Sequence, residues 1–523
     1  MEIYNVQKQR RLDGVGIQVF SDEKREIDLR LAVFIACHAA VRSIDHLSEL
    51  LVVLGKGSKL ADLMLHRTKC SKLITSVISP ALLTELVEDV GEQGFSLIID
   101  ESTDISVVKF MAVMIRYHSM KKNEIVTDFL GFIEVYRATA TALFDSLKEY
   151  LSNVGLNYKH VIGLGTDGAS NLCGKHHSVF TLFRDEIPDI VLVRCVCHSL
   201  HGAASKAAVH LPAELEFFVR ESRNWFAKSP LRRLQYRDLY AAFNDGAMPK
   251  SLVQLVKTRW LAWGKAVGVI LAQWLELKTH FQVHCAQNDP SEKSVIGRRL
   301  KDCFTDANHL FLLFVHPIAA EVNRVNLLFQ AREAEVTALL ADVHDLALFV
   351  ARKALKPEAV PTTLQGAGEA VDVDVLKKQW DSLPLTDWET YFGGSVPSSS
   401  TPFWTGVWAY TRQGSRPFNE LGLFALRALS LPFSNATVEQ AFSVMNTIKI
   451  KSRNRMGTEL LMAIMRIRLR LRGGDKCCRE FKPSPAMLTM FNADMYQTTG
   501  PERPGEGAEL EYEEVWEDLD LVE

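Results

Sequence analysis

Two aspartates follow short apolar runs in a way that suits metal-dependent chemistry on phosphate esters. Asp100 follows the apolar run 95–99, and Asp167 follows the run 161–166. Each run predicts a central strand, and a strand end holds a carboxylate rigidly. Carboxylate oxygens are the ligands that hard cations such as Mg²⁺ prefer. For either aspartate taken alone, a turn residue or helix cap is the more ordinary interpretation.

A third carboxylate, Glu439, lies far downstream beside a predicted helix face. Val438, Phe442 and Met445 recur at helical spacing, and Ser434 or Asn435 can cap the helix. A carboxylate near a buried face needs a partner, because burying it unpaired is costly. We therefore predict that Asp100, Asp167 and Glu439 converge on one catalytic site that holds two divalent ions, Mg²⁺ or Mn²⁺.

A cluster of thiols and imidazoles lies between these positions, in the segment 194–201, with Cys195, Cys197, His198 and His201. Zinc is one interpretation of thiolate and imidazole ligands. The spacing is too tight for an ordinary zinc finger, and no second ligand pair stands out downstream. We favour a structural Cys195 buried at a strand end, with His198 pointing toward the acidic site to contact a phosphate or a transferring proton.

Two basic segments are candidates for contact with nucleic acid. In Lys257-Thr-Arg-Trp, Arg259 can grip a phosphate and Trp260 can stack on an unpaired base. A packing Trp beside a solvated Arg is the alternative. The second segment holds 449–455 and the arginines 466–472, which suit a DNA backbone, nuclear import or a solvated helix face. Its apolar residues indicate an interface or a core stripe.

The order of the predicted elements indicates the fold class. A long helix is expected over 27–54, and Ser79-Pro80 should start another. A strand at 95–100, a hairpin over 110–136, a helix at 139–154 and a strand at 161–166 follow, then a helix near 176–184 and a strand at 190–194. This is the order of a ribonuclease-H-like α/β core. In that fold the first and fourth strands are neighbours, which would bring Asp100 and Asp167 together.

Changes in pattern along the chain predict five regions. Residues 1–94 form an N-terminal helical region, and 95–202 form the first part of the core. Residues 203–396 form a large all-helical insertion with a linker at 356–373, and 397–475 return to the core with a further helical region. Residues 476–523 form a C-terminal extension that ends in an acidic tail.

Bulk composition excludes several classes of protein. A hydrophobic content of 47% and a charged content of 24% are typical of globular chains, and the net charge of -3 gives no overall basic field. The nine cysteines are scattered apart from Cys195/Cys197 and Cys477/Cys478, as expected for thiols in a reducing compartment. No signal peptide opens the chain, and no uninterrupted apolar run is long enough for a membrane span.

Taken together, these motifs resemble those of the hAT superfamily of DNA transposases, from about residue 95 to residue 472. The family's acidic residues match Asp100 in Asp-Glu-Ser-Thr, Asp167 in Thr-Asp-Gly-Ala-Ser-Asn, and Glu439 with its following Phe and Ser. Its C-x-x-H motif matches Cys195 and His198, and its Arg-Trp pair matches Arg259 and Trp260. Ser102 and Gln440 depart from the residues that many members carry.

The resemblance implies cut-and-paste cleavage of DNA by a nuclear protein that forms a dimer or higher oligomer, with His198, Arg259 and Trp260 positioning DNA. It also implies that the helical region after Glu439, within 397–475, is a C-terminal dimerisation region. Residues 1–24 lack the Cys and His of a BED-type zinc finger, which family transposases use to find their ends. We therefore keep a second hypothesis: a catalytically inactive, host-adopted derivative that acts as a dimeric DNA- or protein-binding regulator. Whether the chain is an enzyme is open at this point.

Overall fold

The computed structural model describes residues 22–208, 210–254, 262–286, 295–330, 336–354, 374–450, 456–474 and 477–496. The chain forms two compact units. One holds residues 1–81 and 476–523, and the other holds residues 82–475. The predicted linker at 356–373, the acidic tail and the pair Arg259–Trp260 lie outside the described residues.

One five-stranded mixed sheet organises the larger unit. Its strands are β1 (Phe95–Thr103), β2 (Lys109–Ser119), β3 (Glu124–Glu134), β4 (Val161–Thr166) and β5 (Val191–Arg194). The order across the sheet is β3-β2-β1-β4-β5. β1 pairs antiparallel with β2 and parallel with β4, and β4 pairs parallel with β5. The expectation that the first and fourth strands are neighbours is confirmed, as is the hairpin.

The sheet is covered by helices α5 (Ala140–Asn153), α6 (Ser170–Cys173) and α7 (Val179–Glu186). Thr139 caps α5 by accepting a hydrogen bond from the amide of Ala142. Leu143, Leu147 and Leu151 follow at helical spacing and are buried in one core with the sheet residues. The central strands β1 and β2 are apolar on both faces, as expected of strands that are covered on both sides.

Helices follow the sheet. They are α8 (Val196–Ala208), α9 (Ala213–Ala227), α10 (Pro230–Phe243), α11 (Ala262–Leu271), α12 (Trp274–Ala286), α13 (Val295–Asp302), α14 (Asp306–Gln330) and α15 (Val336–Ala354). Phe218, Trp225 and Phe281 belong to a separate hydrophobic core here. Within the described part of 203–352 every regular element is a helix, as the spacing predicts.

The final helices of this unit are α16 (Asp374–Ser382), α17 (Trp388–Tyr391), α18 (Ser400–Ala409), α19 (Asn419–Leu429), α20 (Ala436–Ile448) and α21 (Thr458–Gly473). In α20, Val438, Phe442 and Met445 are buried, as their spacing predicts. The basic helix α21 differs from expectation. Arg466 is buried and donates to the carbonyl of Leu130, and Arg470 pairs with Asp128.

These two arginines therefore neither grip DNA nor form a solvated helix face. Ile464, Met465 and Ile467 are buried beside them. Of the two alternatives for this apolar face, an interface or a core stripe, the structure supports the core stripe. Lys449 is likewise buried and pairs with Asp104. Buried cations of this kind need such partners, because an unpaired charge inside a protein is costly. Residues 451–455 lie outside the described part of the chain.

The smaller unit corrects two predictions. The expected helix over 27–54 is two helices, α1 (Asp22–His38) and α2 (Ser43–Leu54), because the chain turns where the amide of Ser43 bonds to the carbonyl of Ala40. Ser79 does not start a helix from coil. α3 (Arg67–Lys72) and a π-helical segment (Leu73–Ile78) lead directly into α4 (Ser79–Val90). Proline has no amide hydrogen and cannot donate a helical hydrogen bond. The π turn before Pro80 accommodates this missing bond.

The smaller unit also contains the segment that carries the last described elements. These are a 3₁₀ turn at Cys478–Glu480, helix α22 (Pro485–Met490) and a 3₁₀ turn at Ala493–Tyr496. Arg25 of α1 donates to the carbonyl of Leu488, and Met487, Phe491 and Met495 are buried. The segment after residue 477 is therefore packed against the first helix.

Among the residues that the structure describes, two helices have the length and composition that a membrane span needs, Arg67–Val90 and Asp306–Gln330. One or two such helices are also common in the cores of proteins outside membranes. Half of the apolar window in Arg67–Val90 is buried within the protein. Neither helix is a clear membrane span.

Candidate functional site

Asp100 lies in β1 just beyond its parallel pairing with β4. The last paired residues of those strands are Ile98 and Gly165, whereas Asp100 still pairs with Ala112 of β2. β1 continues to Thr103, so Asp100 is inside the strand rather than at its end. Its Oδ1 accepts the amide of Glu101 at 2.8 Å, which fixes the carboxylate.

Asp167 is the first residue after β4. Gly168 has φ +102°, a backbone conformation that favours glycine, and it turns the chain. Oδ1 of Asp167 accepts the amide of Ala169 at 2.8 Å. Within the described part of the chain, the second oxygen of Asp100 and of Asp167 takes no hydrogen bond. Each aspartate is thus held by one oxygen and offers the other.

Glu439 lies in the first turn of α20. Asn435 occupies the N-cap position without a side-chain bond to the helix, whereas the hydroxyl of Ser434 accepts the amide of Ala436 at 3.1 Å. Between the two predicted caps, the hydrogen bond is made by Ser434. The amide of Asn435 donates to Sγ of Cys195 at 3.3 Å, so the start of α20 is tied to the residue that follows β5.

His198 joins these elements from the first turn of α8. Its Nδ1 lies 3.8 Å from Oε1 of Glu439, as expected of a histidine pointing toward the acidic site. The pKa of His198 is raised to about 9, first by a hydrogen bond with Cys195 and then by the charges of Cys195, Glu439 and Asp167. The imidazole is therefore held as a cation beside carboxylates at neutral pH.

The pKa of Asp100 responds to burial and to the neighbouring acidic groups. Burial raises it first, and the nearby charge of Asp167 raises it further, to about 7, with a smaller contribution from Glu439. Like charges at close range disfavour each other's ionised forms, and a cation bound between them relieves the repulsion. The donor set of three carboxylates fits a hard divalent cation such as Mg²⁺ or Mn²⁺.

An open groove of about 430 Å³ leads to the two aspartates. Its lining also includes Glu101, Lys109 and Asn171, polar residues to which the sequence analysis gave no role. Glu101 pairs with Lys109 and accepts a hydrogen bond from Asn171 at 3.0 Å. Glu101 and Asn171 lie within the two acidic motifs, and Lys109 is the first residue of β2. These positions are the sequence signal that could have identified them. Glu439 does not line this groove. It is linked to the site by its contact with His198 and by its effect on the pKa of Asp100.

Cys195 is 1% exposed and directly follows β5, so the prediction that it is buried at a strand end is confirmed. Hydrogen bonds from Cys197, His198 and the Asn435 amide lower the pKa of Cys195 to about 4. Sγ of Cys197 lies 3.8 Å from the carbonyl oxygen of Asn326 and 3.7 Å from the hydroxyl of Ser434. Both thiols are engaged by the fold itself. The predicted DNA contacts Arg259 and Trp260 lie outside the described residues.

The family model described as "DUF4371: ZMYM1/FAM200, RNase-like domain" matches residues 52–178. The matched segment contains Asp100 and Asp167 and ends before Cys195 and Glu439. This finding supports an RNase-like domain in this part of the chain. It is consistent, at a coarse level, with a transposase-derived family.

Proposed function

We propose that the chain is a transposase-derived protein of the hAT type, with a divalent-metal site for DNA strand cleavage in a ribonuclease-H-like core. The observation that carries the proposal is the groove that Asp100 of β1 and Asp167, just after β4, line together. The charge of Glu439, from the distant helix α20, also acts on Asp100 and supports its inclusion in the site. Glu439 is 272 residues after Asp167 by their numbering. The RNase-like match and the strand order support the same proposal.

Each residue of the site has its own proposed role. The open oxygens of Asp100 and Asp167, with the carboxylate of Glu439, would hold the divalent ions. Such ions activate water or a 3′-hydroxyl and stabilise the leaving oxygen of a phosphodiester. The cationic His198 beside Glu439 is placed to contact a phosphate oxygen. Arg259 and Trp260 remain our candidates for gripping DNA, and self-association and a nuclear location remain parts of the proposal.

A plasmid-nicking assay tests the proposal without knowledge of a target sequence. The full chain is incubated with supercoiled plasmid and Mg²⁺ or Mn²⁺, and Asp167→Asn is compared with Asp185→Asn, an exposed aspartate on α7. We expect Asp167→Asn to lower the nicking rate at least about 100-fold, which corresponds to roughly 2.7 kcal/mol of barrier. Asp185→Asn should leave the rate unchanged. Equal nicking by wild type and Asp167→Asn rejects the assignment.

The alternative, an inactive dimeric regulator, makes a different prediction. It expects sedimentation of a stable dimer and no nicking with either metal. Isothermal titration with Mn²⁺ separates the two cases further. Metal binding that Asp167→Asn abolishes, without nicking by the wild type, would mean that the site persists in a protein that no longer cleaves DNA.

A further inference from the structure

A second group of metal-ligating side chains lies in the smaller unit, apart in sequence from every acidic motif. His38 is the last residue of α1, and Cys477 and Cys478 open the 3₁₀ turn in the C-terminal segment. Nε2 of His38 lies 3.4 Å from Sγ of Cys477, and the two sulfurs lie 3.6 Å apart. One ligand atom from each of the three residues lies within 4.8 Å of the others.

These separations agree with the edges of a zinc coordination tetrahedron. With Zn–S near 2.3 Å and Zn–N near 2.0–2.1 Å, tetrahedral angles place two sulfurs about 3.8 Å apart and a sulfur and a nitrogen about 3.6 Å apart. The observed distances of 3.6 and 3.4 Å are each shorter by about 0.2 Å. A small outward movement of exposed side chains would accommodate the ion.

Neither simpler explanation accounts for all three atoms. A thiol–imidazole hydrogen bond explains the contact of Cys477 with His38 but gives no reason for Cys478 to face the same point. Neighbouring side chains in an extended chain point to opposite sides. Here Cys477 is extended (φ -107°, ψ 170°) and the turn begins at Cys478, which brings both sulfurs together. A disulfide needs sulfurs about 2.05 Å apart, far closer than these.

We propose that His38, Cys477 and Cys478 form a zinc site. Two thiolates and one imidazole are the ligand chemistry of a thiophilic d¹⁰ cation, and they differ from the oxygen ligands that hard ions require. Glu480 is already engaged by the Cys477 amide at 2.9 Å and by Arg479 at 2.8 Å. The fourth position is therefore left for water or an exogenous ligand.

The site would fasten the C-terminal segment to the first helix. The segment already packs on α1 through Arg25 and Leu488, and Phe491 and Met487 are buried. Zinc would close the chain between residues 38 and 477 and stabilise that packing, since metal binding to the folded state alone adds to folding stability. The thiols are exposed or half-exposed, so the ion can exchange with solvent.

Cobalt spectroscopy on the full chain tests the proposal. The reduced, metal-free protein is titrated with Co²⁺, which gives thiolate-to-cobalt charge-transfer absorption only where cysteine sulfur is a ligand. We expect about one equivalent to bind with this absorption and Zn²⁺ to displace it. The carboxylate site gives no such band, so failure here and failure of the proposed nuclease site are separate results.

Matched variants assign the ligands. Cys477→Ser, Cys478→Ser and His38→Asn should each weaken Zn²⁺ binding, measured by competition with a chromophoric chelator, at least 100-fold. Cys37→Ser, next to His38, and Cys285→Ser on α12 should leave it unchanged. Hydrogen exchange at residues 485–496 should slow on adding Zn²⁺ to the wild type and not to Cys478→Ser.

Three results would overturn the proposal. They are the absence of a charge-transfer band in the reduced protein, retention of the band in both Cys477→Ser and Cys478→Ser, and its loss in Cys37→Ser. A peptide that contains both Cys477 and Cys478 and is lighter by two hydrogens would instead identify a disulfide between them and would also overturn the proposal.

Discussion

The protein contains two sets of two cysteines and one histidine, and their surroundings are opposite. The first set is Cys195, Cys197 and His198, and the second is Cys477, Cys478 and His38. Cys195 and Cys197 are buried, and their sulfurs already contact backbone and hydroxyl groups of the fold. Cys477 is exposed and Cys478 half-exposed, and their sulfurs face each other and an exposed histidine. The residue types are the same in both sets. What differs is whether the surrounding protein uses the sulfur atoms or leaves them for a ligand.

The two sets also show that the acidity of a thiol and its accessibility to a reagent are different properties. Hydrogen bonds lower the pKa of the buried Cys195 thiol, to about 4. Backbone amides at the start of the 3₁₀ turn, chiefly that of Arg479, lower the pKa of Cys477 at the surface. A thiolate reacts only when a reagent reaches it. Burial should therefore decide reactivity in the first set despite its favourable pKa.

Thiol labelling provides the largest expected contrast. In the metal-free native protein, Cys477 should react with iodoacetamide at least about 1000-fold faster than Cys195, because Cys195 must wait for an opening that costs roughly 4 kcal/mol or more. Peptide mass spectrometry over a time course gives both rates in one sample. In urea the two rates should converge. Comparable native rates would mean that Cys195 is accessible and that the comparison fails.

Substitution of the same two cysteines gives the next largest contrast. Cys195→Ala leaves the Asn435 amide without its acceptor and opens a small cavity, so it should cost about 2.5 kcal/mol of stability. Cys477→Ala, at an exposed position, should change stability by less than about 0.5 kcal/mol in metal-free protein. Urea unfolding followed by circular dichroism measures both. A neutral Cys195→Ala would show that its contacts contribute little.

Much of the larger unit could be predicted from local pattern. The apolar runs at β1 and β4, the hairpin between 110 and 136, and the burial of Val438 and Met445 follow from spacing alone, because period and burial are linked. The adjacency of β1 and β4 came from the order of elements. That order predicted which strands are neighbours, and so predicted that Asp100 lies near Asp167.

Features set by long-range packing could not be predicted in this way. A run of arginines in α21 suits a surface, but Arg466 is buried and Arg470 half-buried, because Leu130 and Asp128 of β3 lie opposite them. The cysteine pair at 477 was visible in the sequence, whereas its partner His38 is more than 400 residues away. No local signal links two such segments, since the tertiary fold alone brings them together.

A buried and an exposed histidine can be compared in the same way. The expected effect, on the pH dependence of stability, is the smallest of the three. His280 is 4% exposed, and its Nε2 accepts a hydrogen bond from the indole of Trp225 at 3.4 Å. Burial, followed by the charges of His284 and Arg232, lowers the pKa of His280 to about 4. His38, in contrast, is exposed. Protonation of the buried imidazole of His280 therefore opposes folding.

The sign of the pH effect follows from proton uptake. Between the unfolded pKa of about 6.5 and the folded value, the unfolded state binds the additional proton, so stability falls as pH falls. From pH 7 to pH 5 the loss from His280 should be about 2 kcal/mol. Urea unfolding at both pH values should show that His280→Gln reduces this loss, whereas His38→Gln does not. If both variants lose as much as the wild type, His280 is not the group that makes the helical core sensitive to acid.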